Sequence, residues 1–469
     1  MVQLRRLTSS ARPDWQAEAD RLGYHYYRNA DGSFAWREDV RYEFDAAAVT
    51  LIRNVSETLH RLCLSVVDDA VRRPDGLDAF HIPPAVQDVV RQSWARRDPF
   101  LIGRFDLAWC DGQPRLIEYN ADTPATLPES TRMQTAWHRQ RGHPHSHAPL
   151  DAQALVNRLA DLRRKGRIDR TLHIVPYPDN LEDTTHAVYY RQWAEQAGLE
   201  AIHCELRDLE ITNDGQLLHR GRIVRSMIRM YPWELMFRDS GARHLQQCGC
   251  TFLNPPWTAL LSNKALLPAL WKRYPGHPNL LAAGYAPQDV TGRHGQSSPR
   301  AYVEKPIHAR GGENVRILRD GRALCVEAGT YGAYPKIYQE FADHRVDGVT
   351  ASVGAWIVGD SFAGLTMRES QDPIVRHISP IVPHLVRRPG FMRSLLRPGC
   401  AIAERVGKLH PTPPLFCHMM GSASFRVPTS DIVRMPCDLS VQSTDLGGAS
   451  GTARGRARAC RCMTGSRIS

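Results

Sequence analysis

No run of about 18 apolar residues occurs in this chain of 469 residues, which excludes a membrane-spanning helix on length alone. The start, MVQLRRLTSSARPDW, has two arginines but no apolar core of a secretory signal, so the cytoplasm is the expected location. C-x-x-C pairs are also missing. Cys248 with Cys250 and Cys460 with Cys462 are C-x-C, and no histidine spacing completes a metal pattern, which argues against a zinc module. Without an export signal the 11 cysteines are expected to be reduced. There is no G-x-x-x-x-G-K-[ST] string, so a Walker loop is excluded, and no Ser/His/Asp set stands at recognisable spacing.

Excess charge is missing from most of the chain as well. The net charge of +11 suggests nucleic acid at first sight. From Arg387 onward, however, there are 13 Lys+Arg and 4 Asp+Glu, leaving 47 basic and 45 acidic residues before it. The body is nearly neutral and the basic character belongs to the tail. A nucleic-acid binder would have to act through that tail, and binding of nucleic acid or membrane is not expected. Residues 387–469, rich in Arg, Pro, Ser and Gly, show no periodic apolar face and are expected to be unstructured.

What is present reads as a mixed α/β protein. Residues 45–72 place Leu51, Val55, Leu59, Leu62 and Val66 at helical spacing, with Cys63 on the same stretch as a core residue. Residues 83–97 suggest a second helix with Pro at its start. RTLHIVPYPDNLEDTTHAVYYRQWAEQAGLEAIHCEL reads as strand, loop, helix from near Asp183 to Gly198, and strand, a βαβ unit. DGQLLHRGRIVRSMIRMYPWELM suggests a hairpin leading into a helix, and LLSNKALLPALWKRYP an apolar helix carrying Lys264. RAYVEKPIHARGGENVRIL and PKIYQEF are strand-like, and SVGAWIVGDSFAGLTMRES is a hairpin turning at Gly359-Asp360.

One hairpin, GRFDLAWCDGQPRLIEYNADTPATL, gathers polar residues at the ends of apolar runs. Strand side chains alternate, so Arg104 and Asp106 share a face, as do Glu118 and Asn120. A two-residue turn at Asp111-Gly112 pairs 110 with 113 and separates the two acids. A three-residue loop over 111–113 sets Asp106 opposite Glu118 and Arg104 opposite Asn120; this register is expected, since a one-residue slip turns a strand over. The resulting patch of two carboxylates and an amide suits Mg2+, with Arg104 beside it for a transferring phosphoryl group. A salt-bridged surface hairpin is the alternative.

Lys305 ends a strand before Arg310, Gly311 and Gly312, whose loop suits either phosphate closure or a plain turn. Lys264 either joins them or snorkels to solvent. Together these pieces match the needs of nucleotide phosphate handling.

The strings WREDVRYEF, GRFDLAW, LIEYNADTPATL, YPWELM, LLSNKALLPALWKRYPGHPNLL, YVEKPIHARGGENV, KIYQEF and MRES, in this order between about residues 12 and 386, resemble the glutathionylspermidine synthase family in its ATP-grasp synthetase part. The resemblance implies an α/β (α+β) ATP-grasp-like synthetase over 1–386. Within it, about 160–210 would form a βαβ substrate lobe and about 257–345 an ATP-binding lobe. It implies an ATP- and Mg2+-dependent ligase that joins a glutathione-like peptide carboxylate to spermidine or a similar amine through an acyl phosphate. Other family substrates, and a non-catalytic nucleotide-binding relative, are the alternatives; self-association stays open.

By motif, Asp106, Glu118 and Asn120 would hold the metal and Arg104 would stabilise the transition state. Lys264, Lys305, Arg310 and Gly311 would bind phosphates, and Gln339 and Glu340 the adenine. Thr123 would contact the peptide, Arg368 would face the acyl phosphate, and Glu182 with Asp183 would receive the cationic amine. That acidic pair also suits a plain helix N-terminus. Ala125 stands where many relatives have a hydroxyl residue, and the short stretch before the synthetase-like region leaves no amidase expected.

Overall fold

The apolar spacing of residues 45–72 becomes the helix Ala46–Arg72, capped by Asp45, whose carboxylate accepts from the Ala48 N–H. Such a cap is worth about 1 kcal/mol. Ile52, Val55, Leu59, Cys63 and Val66 form its buried face. Cys63 is fully enclosed, and burial pushes its thiol well up, as suits a core residue. The structure, a computed structural model, describes residues 3–142, 148–291, 301–387 and 432–434. These belong to one compact unit.

Three sheets position the cleft. The longest is antiparallel, with strands in the order Ile381–Val382, Ser361–Ser370, Val349–Val358, Ile102–Cys110 and Gln113–Asn120. The second, also antiparallel, runs Ala283–Gly284, Lys336–Glu340, Tyr302–Pro306, Arg316–Arg319 and Arg322–Val326. The third is parallel: Thr251–Leu253, Ser226–Arg229, Thr171–Val175 and Glu200–His203. Its βαβ connection is the helix Leu181–Gln196, capped by Asn180 accepting from Asp183 N–H at 3.0 Å. Strand, helix and strand fall within a few residues of the expected bounds.

Two local expectations need correcting. LLSNKALLPALWKRYP is not one helix; it splits into Ala259–Ser262 and Leu266–Arg273, and Lys264 lies in the break. Pro268 has no N–H and its ring would collide with the carbonyl of residue 264 in a continuous helix, so it is accommodated only in a first turn. Asn263 is extended, its side chain accepts from Ala265 N–H, and the Lys264 N–H turns to the Ile307 carbonyl at 2.9 Å. The second correction concerns the hairpin turn and is given with the site.

Most of the expected unstructured tail lies outside the described residues. The exceptions are Arg387, which ends the strand His384–Arg387, and the strand Ile432–Arg434, which pairs antiparallel with Leu209–Thr212. No helix among the described residues is long and apolar enough to cross a membrane.

His173 and His219 are buried edge to face, ring centroids 5.3 Å apart, with His173 Nδ1 and His219 Nε2 lacking hydrogen-bond partners among the described residues. Burial lowers both imidazole pKa values, and for His173 the neighbouring His219 adds to it. The unfolded chain takes up these protons near pH 6.5, above the folded values. Stability is therefore full above about pH 6.5 and falls as pH drops through and below it. Urea midpoints at about pH 7.5 and about pH 5.5 should differ in wild type and differ less in His173→Phe.

Candidate active site

The hairpin carries its polar residues on one face, but by a route other than the expected loop. Cys110 pairs with Gln113 across a two-residue turn, in which Asp111 (φ 51°) and Gly112 (φ 73°) both adopt the left-handed conformation that such turns require. Leu107 pairs with Leu116, yet Asp106 pairs with Glu118 and Arg104 with Asn120. The register changes at Ile117, an extra residue bulged out of the second strand. Pro114 and Leu116 thus stay in the core opposite Trp109 and Leu107, while Glu118 and Asn120 face the cleft.

A bulge leaves ladder groups without their regular partners, and here the second sheet supplies others. Gln339 Nε2 donates to the Leu116 carbonyl at 2.9 Å, and Lys305 Nζ donates to the Ile117 carbonyl at 3.4 Å and to Gln339 Oε1 at 2.7 Å. The Leu116 N–H reaches the Asn279 carbonyl at 2.9 Å.

Arg104 lies flat on this face. It donates to Asp106 through Nε (2.7 Å) and Nη2 (3.2 Å), and through Nη1 to the Ala125 carbonyl (2.8 Å) and Thr126 Oγ1 (3.1 Å). Residue 125 therefore contributes its backbone to Arg104, whatever its side chain. Trp356 packs under the guanidinium at 5.6 Å, and Gly354, opposite Asp106, leaves room for the Arg104 chain, whose Cδ would stand 3.0 Å from an added Cβ.

Lys264 Nζ bonds the Ala309 carbonyl at 2.8 Å and Glu118 Oε2 at 3.2 Å. Burial raises the Glu118 carboxyl, but Lys264, Lys305 and the Asn120 hydrogen bond outweigh it and hold it at about 2. Burial brings Lys305 down to about 8 against the pull of Glu118.

All fourteen residues singled out by sequence line one cleft of about 320 Å³. Arg104, Asp106, Glu118, Asn120 and Arg368 come from the first sheet. Lys305, Gln339 and Glu340 come from the second, with Lys264, Arg310 and Gly311 on the loops beside it. Thr123, Glu182 and Asp183 also line it. Leu281, Val303, Ile317 and Ile374 provide an apolar stretch near Gln339.

Several residues of this neighbourhood were not singled out. Glu234, in YPWELM, accepts from His308 Nδ1 at 2.7 Å and faces Arg310 Nη2 at 3.6 Å. Burial raises its carboxyl, but these partners outweigh that and hold it at about 2. Asp122 is buried and pairs with Arg229 at 2.5 Å, while Ser262 Oγ accepts from the Ala121 and Asp122 N–H groups at 2.8 Å each. A lone Glu beside Trp, and an Asp within NADT, give no spacing signal that would have found them.

For a divalent cation, the donor set is two carboxylates and an amide. Asn120 Nδ2 stands 3.3 Å from both Asp106 Oδ2 and Glu118 Oε1, so the three side chains converge. No group of three or more His, Cys, Asp or Glu among the described residues could hold a metal. Mg2+ needs only one or two carboxylates with phosphates and water. The set fits Mg2+.

Small sheets gathered around one charged cleft define a mixed α/β protein. Within that class the chain belongs to the glutathionylspermidine synthase family: the family model described as Glutathionylspermidine synthase preATP-grasp matches residues 6–387. It is 29% identical over 388 residues to a putative acid–amine ligase of Haemophilus influenzae, covering 80% of this chain and 97% of that one. It is 28% identical over 365 residues to trypanothione synthetase of Crithidia fasciculata, covering 72% of this chain and 55% of that protein. With the bifunctional glutathionylspermidine synthetase/amidase of Escherichia coli K12 it shares 27% identity over 402 residues, covering 79% and 63%. The chain thus spans less than two thirds of the last two. By name, the family is one of ligases that join acids to amines.

Proposed function

We propose that this chain is an ATP- and Mg2+-dependent carboxylate–amine ligase that activates a peptide acid as an acyl phosphate and couples it to a polyamine-like amine. One observation carries this reading. A single cleft is lined by Lys264, Lys305, Arg310 and Arg368, by the acidic pair Glu182 and Asp183, and by the oxygen donors Asp106, Glu118 and Asn120. The first set suits nucleotide phosphates, the second an ammonium group.

In this reading Asp106, Glu118 and Asn120 hold the metal, which neutralises phosphate charge when bound. Lys264 and Lys305 bind the phosphates, and Arg310 and Gly311 close over them. Gln339 and Glu340 lie where the adenine enters its apolar slot. Arg104, fixed by Asp106 and the Ala125 carbonyl, and Arg368 face the charge that develops at the acyl phosphate. Thr123 contacts the peptide acid. A glutathione-like peptide and spermidine are the substrates to try first.

The test is ADP release from the purified chain, screened over thiol peptides and di- and polyamines. ADP release requiring both an acid and an amine is expected; nucleotide binding without any acceptor-dependent ADP would overturn the reading in favour of a non-catalytic relative. Asp183→Asn should raise the amine KM about tenfold, equivalent to about 1.4 kcal/mol, and leave the peptide KM unchanged. Equal loss for both substrates would remove Asp183 from the amine site.

A further inference from the structure

An aliphatic amine is protonated at neutral pH, like a lysine with its pKa near 10.4, and cannot attack until it loses a proton. The acidic pair that would receive the ammonium group therefore needs an outlet for that proton. Glu182 and Asp183 both line the cleft, and the path starts from Asp183. Behind it stands His186, only 1% exposed, with Nδ1 3.7 Å from Asp183 Oδ1. On its far side Nε2 lies 3.2 Å from the Tyr26 hydroxyl, with the Leu127 N–H at 3.4 Å beside it, and the Tyr26 hydroxyl in turn lies 3.2 Å from Glu129 Oε2. Glu129 is 2% exposed, is absent from the cleft lining, and has no Lys or Arg ion-pair partner among the described residues. It opens a π-helical turn, Glu129–Met133, an irregularity often found at functional sites.

Resting on the ligase reading, we infer that Asp183, His186 and Tyr26 form a proton path from the amine to Glu129, the terminal acceptor. His186 starts as the imidazolium, gives up its Nε2 proton, and is reprotonated by the ammonium proton passing through the Asp183 carboxylate. The Nε2 proton moves to Tyr26, and the Tyr26 hydroxyl proton to Glu129, which ends as the neutral acid. The freed amine attacks the acyl carbon, the C–N bond forms and the C–O bond to phosphate breaks. The second amine proton leaves with the phosphate, so one proton resides on Glu129 and one on phosphate.

The surroundings suit an acceptor. Burial, then Glu182, raise the Glu129 carboxyl to about 7 against the opposing His186. Tyr24, Tyr26, Asp183, Glu182, His186, Arg368 and Tyr189 with its neighbour Arg132 are charged or titratable groups of this corner; burial lowers the His186 pKa, but Asp183, Glu182 and Glu129 outweigh that and raise it. Tyr26 is held well above its usual range, so it passes protons without ionising.

The test compares two nucleophiles at fixed pH: an aliphatic di- or polyamine, which needs deprotonation, and hydroxylamine, which is already unprotonated at neutral pH. Glu129→Gln should lose about 100-fold more ADP release with the aliphatic amine than with hydroxylamine, within the range of general-base effects. Tyr26→Phe, which cuts the path and keeps the carboxyl, should show the same selective loss, and it decides the matter should Glu129→Gln fail to fold. Equal losses for both nucleophiles in these variants would overturn the path. No hydroxylamine-dependent ADP release in wild type would instead count against the ligase reading itself.

Discussion

Asp106→Ala should cut acceptor-dependent ADP release by about 10²–10³-fold, the scale on which removing one preorganised charge-stabilising group acts. Two roles meet at this carboxylate. It belongs to the oxygen patch proposed for the metal, and it holds Arg104 through two hydrogen bonds, 2.7 and 3.2 Å long. The alanine change removes a ligand and releases the guanidinium together. Asp106→Asn separates these effects, since the amide keeps the shape and loses the charge. Loss of most activity in Asp106→Asn with an unchanged urea midpoint would assign the effect to chemistry. An Asp106→Ala enzyme retaining more than about a tenth of the wild-type rate would remove Asp106 from the metal set.

The largest stability effect is expected at Asp122 and Arg229. Arg229 is 2% exposed, pairs with Asp122 at 2.5 Å and donates to the Tyr231 carbonyl at 2.5 Å. Its guanidinium lies 3.7 Å from the centre of the Trp233 ring, and the second Asp122 oxygen accepts from the Trp233 N–H at 2.8 Å. Burial pushes the Arg229 pKa down, with Asp122 opposing. Asp122→Ala would leave this cation buried without its counter-charge, at a cost of about 3–5 kcal/mol. Urea unfolding should show that loss, and Asp122→Ala with Arg229→Met should recover part of it. A loss under about 1 kcal/mol would mean that water or another acid reaches Arg229.

The hairpin shows how much of this was legible in the sequence. Alternation correctly grouped Arg104 with Asp106 and Glu118 with Asn120, and the pairing of those groups is the one found. The mechanism was misplaced. The apolar positions run Pro114 and Leu116, then Tyr119, so the phase slips by one at Leu116–Ile117, inside the strand. Two adjacent apolar residues there mark the bulge, whereas Asp-Gly at the tip already marked the turn. Lys264 teaches a related lesson. Apolar spacing suggested one helix through it, but Pro268 fixes where that helix can begin. Glu234, Asp122 and Glu129 gave no local sign at all. Each matters through partners far along the chain, such as His308 for Glu234, Arg229 for Asp122 and Tyr26 for Glu129, and no periodicity reports such meetings.

The charges of the oxygen patch are already matched from within. Arg104 neutralises Asp106, and Lys264 neutralises Glu118. On the proposed reading, a lone divalent cation must compete with those side chains, and a lone nucleotide finds Lys264 engaged. Arriving together, each releases the group that the other needs. By linkage, the gain is reciprocal: metal must tighten nucleotide by the same factor as nucleotide tightens metal. Titrating either alone would understate its affinity in the pair, and the cleft behaves as a receptor for the metal–nucleotide complex.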